Sequence, residues 1–139
     1  MSIEPSTESA DYDFVQHIRA RFVETDAMGI VHHSNYLPWF EEARVAYLRH
    51  IDHPFTQWRE EGLESPVLES FVQYIRPVEF DQVVGVHVKL GSVSRASFQM
   101  AYLVADEADA VAHATGVTVH ACTSNGRPTR LPEWLTALA

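Results

Sequence analysis

The chain has 139 residues, 46% hydrophobic and 21% charged, the profile of one folded domain rather than of a disordered chain. A formal charge of −9 weighs against non-specific binding of nucleic acid or anionic membrane, which needs a basic field. The single cysteine, Cys122, excludes an intrachain disulfide and, at the end of a strand-like run, reads as a packing thiol.

Residues 1–12 are acidic and polar without periodicity and read as a fraying segment, with one domain over 13–139. Met1-Ser2-Ile3-Glu4-Pro5 lacks the basic start and apolar centre of a secretory signal. No apolar run is long enough to span a bilayer. The expectation is a cytoplasmic protein without membrane insertion. Residues 14–22 alternate, with Phe14, Ile18, Ala20 and Phe22 on the side expected to be buried, and His17, Arg19 and Arg21 opposite.

A loop from Asp26 to His33 follows, and between 35 and 51 the period becomes that of a helix. Tyr36, Leu37, Phe40, Ala43, Tyr47, Leu48 and Ile51 fall in one wide stripe. Ser34 or Asn35 can cap this helix, and Pro38 lies in the first turn, where proline is tolerated. Arg44 sits inside the stripe, so a carboxylate is expected beside it, with Glu41 one turn back the first candidate.

Asp52-His53-Pro54 stops the helix, and a short one around 55–61 ends at Gly62. Four strand patterns follow. Residues 67–76 set Leu68, Val72 and Tyr74 against Glu69 and Gln73. Residues 83–90 place Val84, Val86, Val88 and Leu90 on one face; the next strand does so with Phe98, Met100, Tyr102 and Val104. Val111, Val117 and Val119 mark the last, running to about Ala121, and Glu133-Trp134-Leu135 reads as a short helix packing back. One strand, a long helix and four strands joined by short turns predict an α+β domain. Its antiparallel sheet carries one helix on its face, and a strongly curved sheet would cover that helix on most sides.

The chemistry concentrates in Thr25-Asp26-Ala27-Met28-Gly29-Ile30-Val31-His32-His33-Ser34-Asn35-Tyr36. A carboxylate and a permissive glycine stand directly before a helix start, whose unpaired N–H groups and positive dipole end suit a developing oxyanion. An Asp in such a loop is more often a turn residue; the glycine and the helix entry favour catalysis at Asp26. An ionised carboxylate suits direct attack on an acyl carbonyl, whereas one with raised proton affinity suits water activation, and both stay open. His33 can bond the carboxylate, touch substrate or contribute only its amide, and His32 reads as bland. Tyr36 is a candidate acyl-pocket wall and Trp39 reads as core. Arg127 and Arg130 are candidate contacts for phosphates, with a solvated tail the alternative. The remaining histidines, among them His50 and His53, lack a third ligand at metal-site spacing, so no metal is assigned.

Thr25-Asp26-x-x-Gly29-Ile30-Val31-x-His33-x-x-Tyr36, followed by Phe40-Glu41-Glu42-Ala43-Arg44, resembles the 4-hydroxybenzoyl-CoA thioesterase family, most closely its short-chain acyl-CoA thioesterases. The resemblance covers about residues 14–130. Two departures are Ala20, where a larger aliphatic is common, and Phe22, where relatives often carry tyrosine. The resemblance implies a hotdog fold, a homodimer sharing a continuous sheet or a homotetramer, and hydrolysis of an acyl-CoA or acyl-carrier thioester without metal or redox cofactor. It places the catalytic carboxylate on Asp26, the motif histidine on His33, and the oxyanion and substrate contacts around Gly29, His33, Ser34 and Tyr36. Two rivals remain. A hotdog hydratase or dehydratase resembles Gly-Asp-x-Asn-Pro-x-His, with its histidine five positions after the acid, whereas here the spacing is six or seven and Asn-Pro is missing. A non-catalytic hotdog would bind an acyl carrier or another protein.

Overall fold

The computed structural model describes residues 4–139. Its elements are β1 (Phe14–Arg19), α1 (Tyr36–His50), α2 (Phe55–Glu60), β2 (Val67–Tyr74), β3 (Val83–Val93), β4 (Ser97–Asp106), β5 (Ala112–Ala121), a small hairpin β6 (Thr123–Ser124) and β7 (Arg127–Pro128), and α3 (Glu133–Leu138). The expected α+β architecture forms: five antiparallel strands in the order β1-β3-β4-β5-β2, with one long helix against them.

Alternation along β3 turns Val84, Val86, Val88 and Leu90 into the core. Strand β4 is central and buried on both faces, Ala101 and Leu103 as fully as Met100 and Tyr102. His87 and Lys89 of β3 face away from the helix, and Tyr12 lies over them: its ring is 6.1 Å from that of His87 and 5.5 Å from Lys89 Nζ. Within the segment expected to fray, residues 9–11 form a 3-10 turn and the Tyr12 hydroxyl donates to the Ser6 carbonyl at 2.7 Å; residues 1–3 lie outside the described residues.

Helix α1 is seated by Phe40. Its ring stacks on that of Tyr102, 4.4 Å between centres and 6° from parallel. Room for it exists because residue 116 of β5 is glycine; a Cβ there would fall on the Phe40 ring. Tyr36, Ala43, Tyr47 and Leu48 are buried as expected, Trp39 and Ala46 join them, and Leu37 is exposed. Arg44 does meet Glu41, but only at 3.9 Å; its hydrogen bond, from Nη1, goes to the Tyr102 hydroxyl at 3.1 Å. Cys122 is buried and packed, and burial pushes its thiol pKa up.

Three expectations change. Strand β1 ends at Arg19, so Phe22 does not reach the core: it is 79% exposed, in a 3-10 turn, edge-on to Phe80. The cause is Glu24, whose carboxylate takes the Arg21 N–H at 2.8 Å and turns the chain out of the sheet. In β2 the expected face is only partly covered: Val72 packs against the core, whereas Leu68 is 60% and Tyr74 50% exposed. Neither Ser34 nor Asn35 caps α1 with its side chain. A 3-10 turn over His33–Asn35 precedes the helix, and the ring of His32 caps that turn.

Candidate active site

The loop between β1 and α1 is held as a tight double-back. The Asp26 N–H donates to the Ile30 carbonyl at 2.9 Å and the Gly29 N–H to the Asp26 carbonyl at 3.0 Å. Gly29 adopts a φ of +78°, a conformation that costs most side chains strain. Val31 N–H reaches the Val78 carbonyl at 2.8 Å, which ties the returning arm to the chain before β3. Asp26 is left half-buried, with Oδ1 accepting the Met28 N–H at 2.8 Å.

Asp26 lines a cavity of about 330 Å³ together with His32, His33, Tyr36, Tyr74 and Arg76. The sequence-predicted Asp26, His33 and Tyr36 thus meet in one place. Gly29 and Ser34 are not on its wall: Gly29 shapes the loop, and the Ser34 hydroxyl lies 2.8 Å from His32 Nδ1. The His33 ring packs against the His32 ring, 4.1 Å between centres, and makes no hydrogen bond among the described residues.

The amides at the helix start are not equivalent. Ser34 N–H points to His32 Nδ1 at 3.2 Å, Asn35 N–H to the His32 carbonyl at 3.0 Å, and Tyr36 N–H to the His33 carbonyl. Among the described residues only the His33 N–H of this turn has no acceptor. The oxyanion donor expected from the His33-Ser34 pair therefore narrows to His33, because the His32 ring occupies Ser34.

Three residues that sequence reasoning passed over complete the site. Tyr74 closes one side: its ring stands edge-on to Tyr36 at 5.0 Å and its hydroxyl donates to the His33 carbonyl at 3.3 Å. Burial, with Tyr74 second, pushes the Tyr36 phenol up to about 12, so Tyr36 is a neutral wall. Arg76 brings a cation to the rim, because Pro77 ends the strand pairing beside the cavity. Glu24 lies behind the loop. It accepts the Trp39 indole N–H at 2.8 Å, and its carbonyl takes both His32 N–H and Asn35 Nδ2, each at 2.8 Å. No motif spacing marks it; a charged residue at 5% exposure does. Arg127 and Arg130 do not line this cavity.

A carboxylate, an unpaired amide at a helix start and an apolar wall in one cleft are the parts that acyl transfer requires. Comparison with known proteins agrees. Residues 20–138 match the family model of the thioesterase-like superfamily. A hypothetical protein of Aquifex aeolicus superposes with a TM-score of 0.85 at 40% identity, covering 91% of this chain and 100% of that one. DHNA-CoA thioesterase of Staphylococcus aureus does so with a TM-score of 0.80 at 29% identity, covering 88% and 86%. The acyl-CoA thioester hydrolase YbgC of Escherichia coli is 31% identical over 78 residues, 55% of this chain and 57% of that protein.

The chain belongs to the thioesterase-like superfamily and is a hotdog-fold thioester hydrolase. No helix among the described residues is long and apolar enough to cross a membrane.

Proposed function

We propose that the protein is an acyl-CoA thioesterase in which Asp26 carries the hydrolysis, one of the short-chain group within the 4-hydroxybenzoyl-CoA thioesterase family. The observation that carries this reading is the shared cavity: Asp26 and His33, whose amide has no acceptor among the described residues, line the same space. An Asp26 oxygen attacks the thioester carbonyl carbon, and the negative charge gathers on the carbonyl oxygen against the His33 N–H. The C–S bond then breaks and coenzyme A leaves as the thiolate, which takes a proton from solvent water. Water cleaves the mixed anhydride, returning the Asp26 carboxylate and releasing the free acid. The Met28 amide holds one carboxylate oxygen, which orients the other. The chain's own groups supply each step, without metal or redox cofactor.

A second copy of the chain pairs along β2 in this reading. Strand β2 is an open edge, and Val67, Leu68, Phe71 and Tyr74 are each between 45% and 60% exposed along it. An edge of that character needs cover. Tyr74 belongs both to this edge and to the cavity, so pairing there would bring the partner to the rim of the site.

The test is a thioester panel spanning chain length and aromaticity, with coenzyme A and acyl-carrier leaving groups, alongside an enoyl-CoA assayed for water addition. Thioester hydrolysis without hydration supports the reading. Hydration of the enoyl-CoA, or tight acyl-carrier binding with no turnover of any thioester, would sink it. Turnover in heavy-oxygen water tests the covalent step: attack by Asp26 can leave heavy oxygen in its carboxylate, read by peptide mass. Heavy oxygen in the Asp26 carboxylate requires the covalent step, whereas a label confined to the released acid follows from water attack on the acyl carbon by either route.

A further inference from the structure

Farther along the seam between α1 and β2 lies a buried polar chain that the hydrolysis does not use. Its direction follows from which atoms can donate. The Ser65 carbonyl only accepts, so His120 Nδ1, 3.1 Å away, carries the proton. Burial, with the Arg44 charge second, pushes the His120 pKa down to about 4. The ring is therefore neutral, and its Nε2 accepts from the Thr118 hydroxyl at 2.7 Å. Thr118 Oγ1 then accepts from the Tyr102 hydroxyl at 2.7 Å, and the Tyr102 oxygen accepts from Arg44 Nη1 at 3.1 Å. Every proton in this chain points away from the guanidinium and every lone pair toward it.

The chain anchors Arg44 without neutralising it. The Arg44 side chain is 14% exposed, and the one carboxylate that pairs with it among the described residues, Glu41, stands 3.9 Å off and is itself 67% exposed. A pair so open to water is well screened. A largely buried guanidinium with five donors and so little anionic compensation favours an anion. Arg44 borders a cavity of about 350 Å³, whose apolar walls are Leu37, Pro38 and Val67 and whose polar end holds Ser70, Thr118 and the exposed Glu41.

This cavity lies on the same α1–β2 seam as the Asp26 cavity, which Tyr36 and Tyr74 line. Arg44 is eight residues beyond Tyr36, about 12 Å along α1. Ser70 is four residues from Tyr74, about 13 Å along β2. The residues between them, Phe40 on α1 and Val72 on β2, are apolar and suit methylene groups, and the far end suits a negative charge.

We propose that this second cavity receives the distal end of the acyl group, and that Arg44 extends the site beyond short chains to medium-length acyl groups ending in a carboxylate. The proposal rests on the reading of Asp26 as the point of thioester cleavage. A matched pair of substrates tests it: octanoyl-CoA and suberyl-CoA, equal in chain length and different only in the terminal carboxylate. The full-length protein should show a kcat/KM roughly tenfold or more higher for suberyl-CoA, the scale of one charge-assisted hydrogen bond. In Arg44→Gln the ratio of the two should fall to one or below.

Titration of the free acids, suberate against octanoate, reads the same preference without catalysis. Equal or faster hydrolysis of octanoyl-CoA, with suberate bound no tighter than octanoate, overturns the subsite and leaves Asp26 untouched. Where neither thioester is hydrolysed, Asp26 stands or falls on the wider thioester panel, and the free-acid titration decides the subsite by itself. Loss of dimer in Arg44→Gln with an unchanged preference gives the guanidinium to the partner copy and also overturns it. The wild-type comparisons decide the matter even where the variant fails to fold.

Discussion

Both oxygens of the Glu24 carboxylate face donors: Oε1 the Arg21 amide, and Oε2 the Trp39 indole together with the Arg21 guanidinium. Burial pushes the Glu24 pKa up, but these hydrogen bonds outweigh it and hold the group below the usual glutamate value. A folded-state pKa that is lowered adds stability which is complete above the unfolded value and lost as pH falls through the folded one. A Glu24→Gln variant offers one acceptor and a clashing NH₂ to the same donors. It should lose about 1–3 kcal/mol near neutral pH. In urea titrations the gap between variant and wild type should narrow as the solution is acidified below the ordinary glutamate range. A gap independent of pH would contradict the assignment. Because the Glu24 side chain anchors the segment whose carbonyl holds the turn carrying His33, the variant's kcat should fall more than its KM rises. A motif marked Asp26, His33 and Tyr36, which the fold brings to one cavity, and Gly29, which shapes the loop off its wall. The site was not legible at Glu24, Tyr74 and Arg76, which reach the cavity through tertiary contacts with no local period, nor at Ser34, whose amide is claimed by a neighbouring ring.

Phe40, Tyr102 and Gly116 make the joint between helix and sheet. A Gly116→Ala substitution drives a methyl into the Phe40 ring and toward the Phe71 carbonyl, 3.0 Å from that Cβ. Overpacking of this kind costs about 1–3 kcal/mol, to be read as a lower denaturation midpoint. A midpoint equal to wild type would show that α1 is free to shift on the sheet. At this scale most of the molecule could be read beforehand, because α1 and β3 to β5 are amphipathic or continuously apolar at their own periods. Alternation in β2 promised a buried face and misled at Leu68 and Tyr74, since period alone does not tell an edge from a centre. Phe22 misled likewise: its apolar side chain extended the pattern of β1 past the point where Glu24 bends the chain away.

Edge pairing, charge and the two cavities belong to the molecule as a whole. The proposed second copy covers the apolar edge of β2, and Phe71→Lys should split the assembly into monomers in sedimentation. Activity should fall with it, because Tyr74 and the cavity lie beside that edge. A wild type that sediments as a monomer while turning over thioesters would contradict this arrangement. The formal charge of −9 sets a repulsive field around an anionic substrate, so local cations such as Arg76 must act at short range.

The account stands most directly on the turnover of Asp26→Asn with a thioester that the wild type hydrolyses, measured on protein whose melting is cooperative and near wild type. Removal of the proposed nucleophile should lower kcat by roughly a thousandfold or more. A rate within a few-fold of wild type would place the chemistry on some other group.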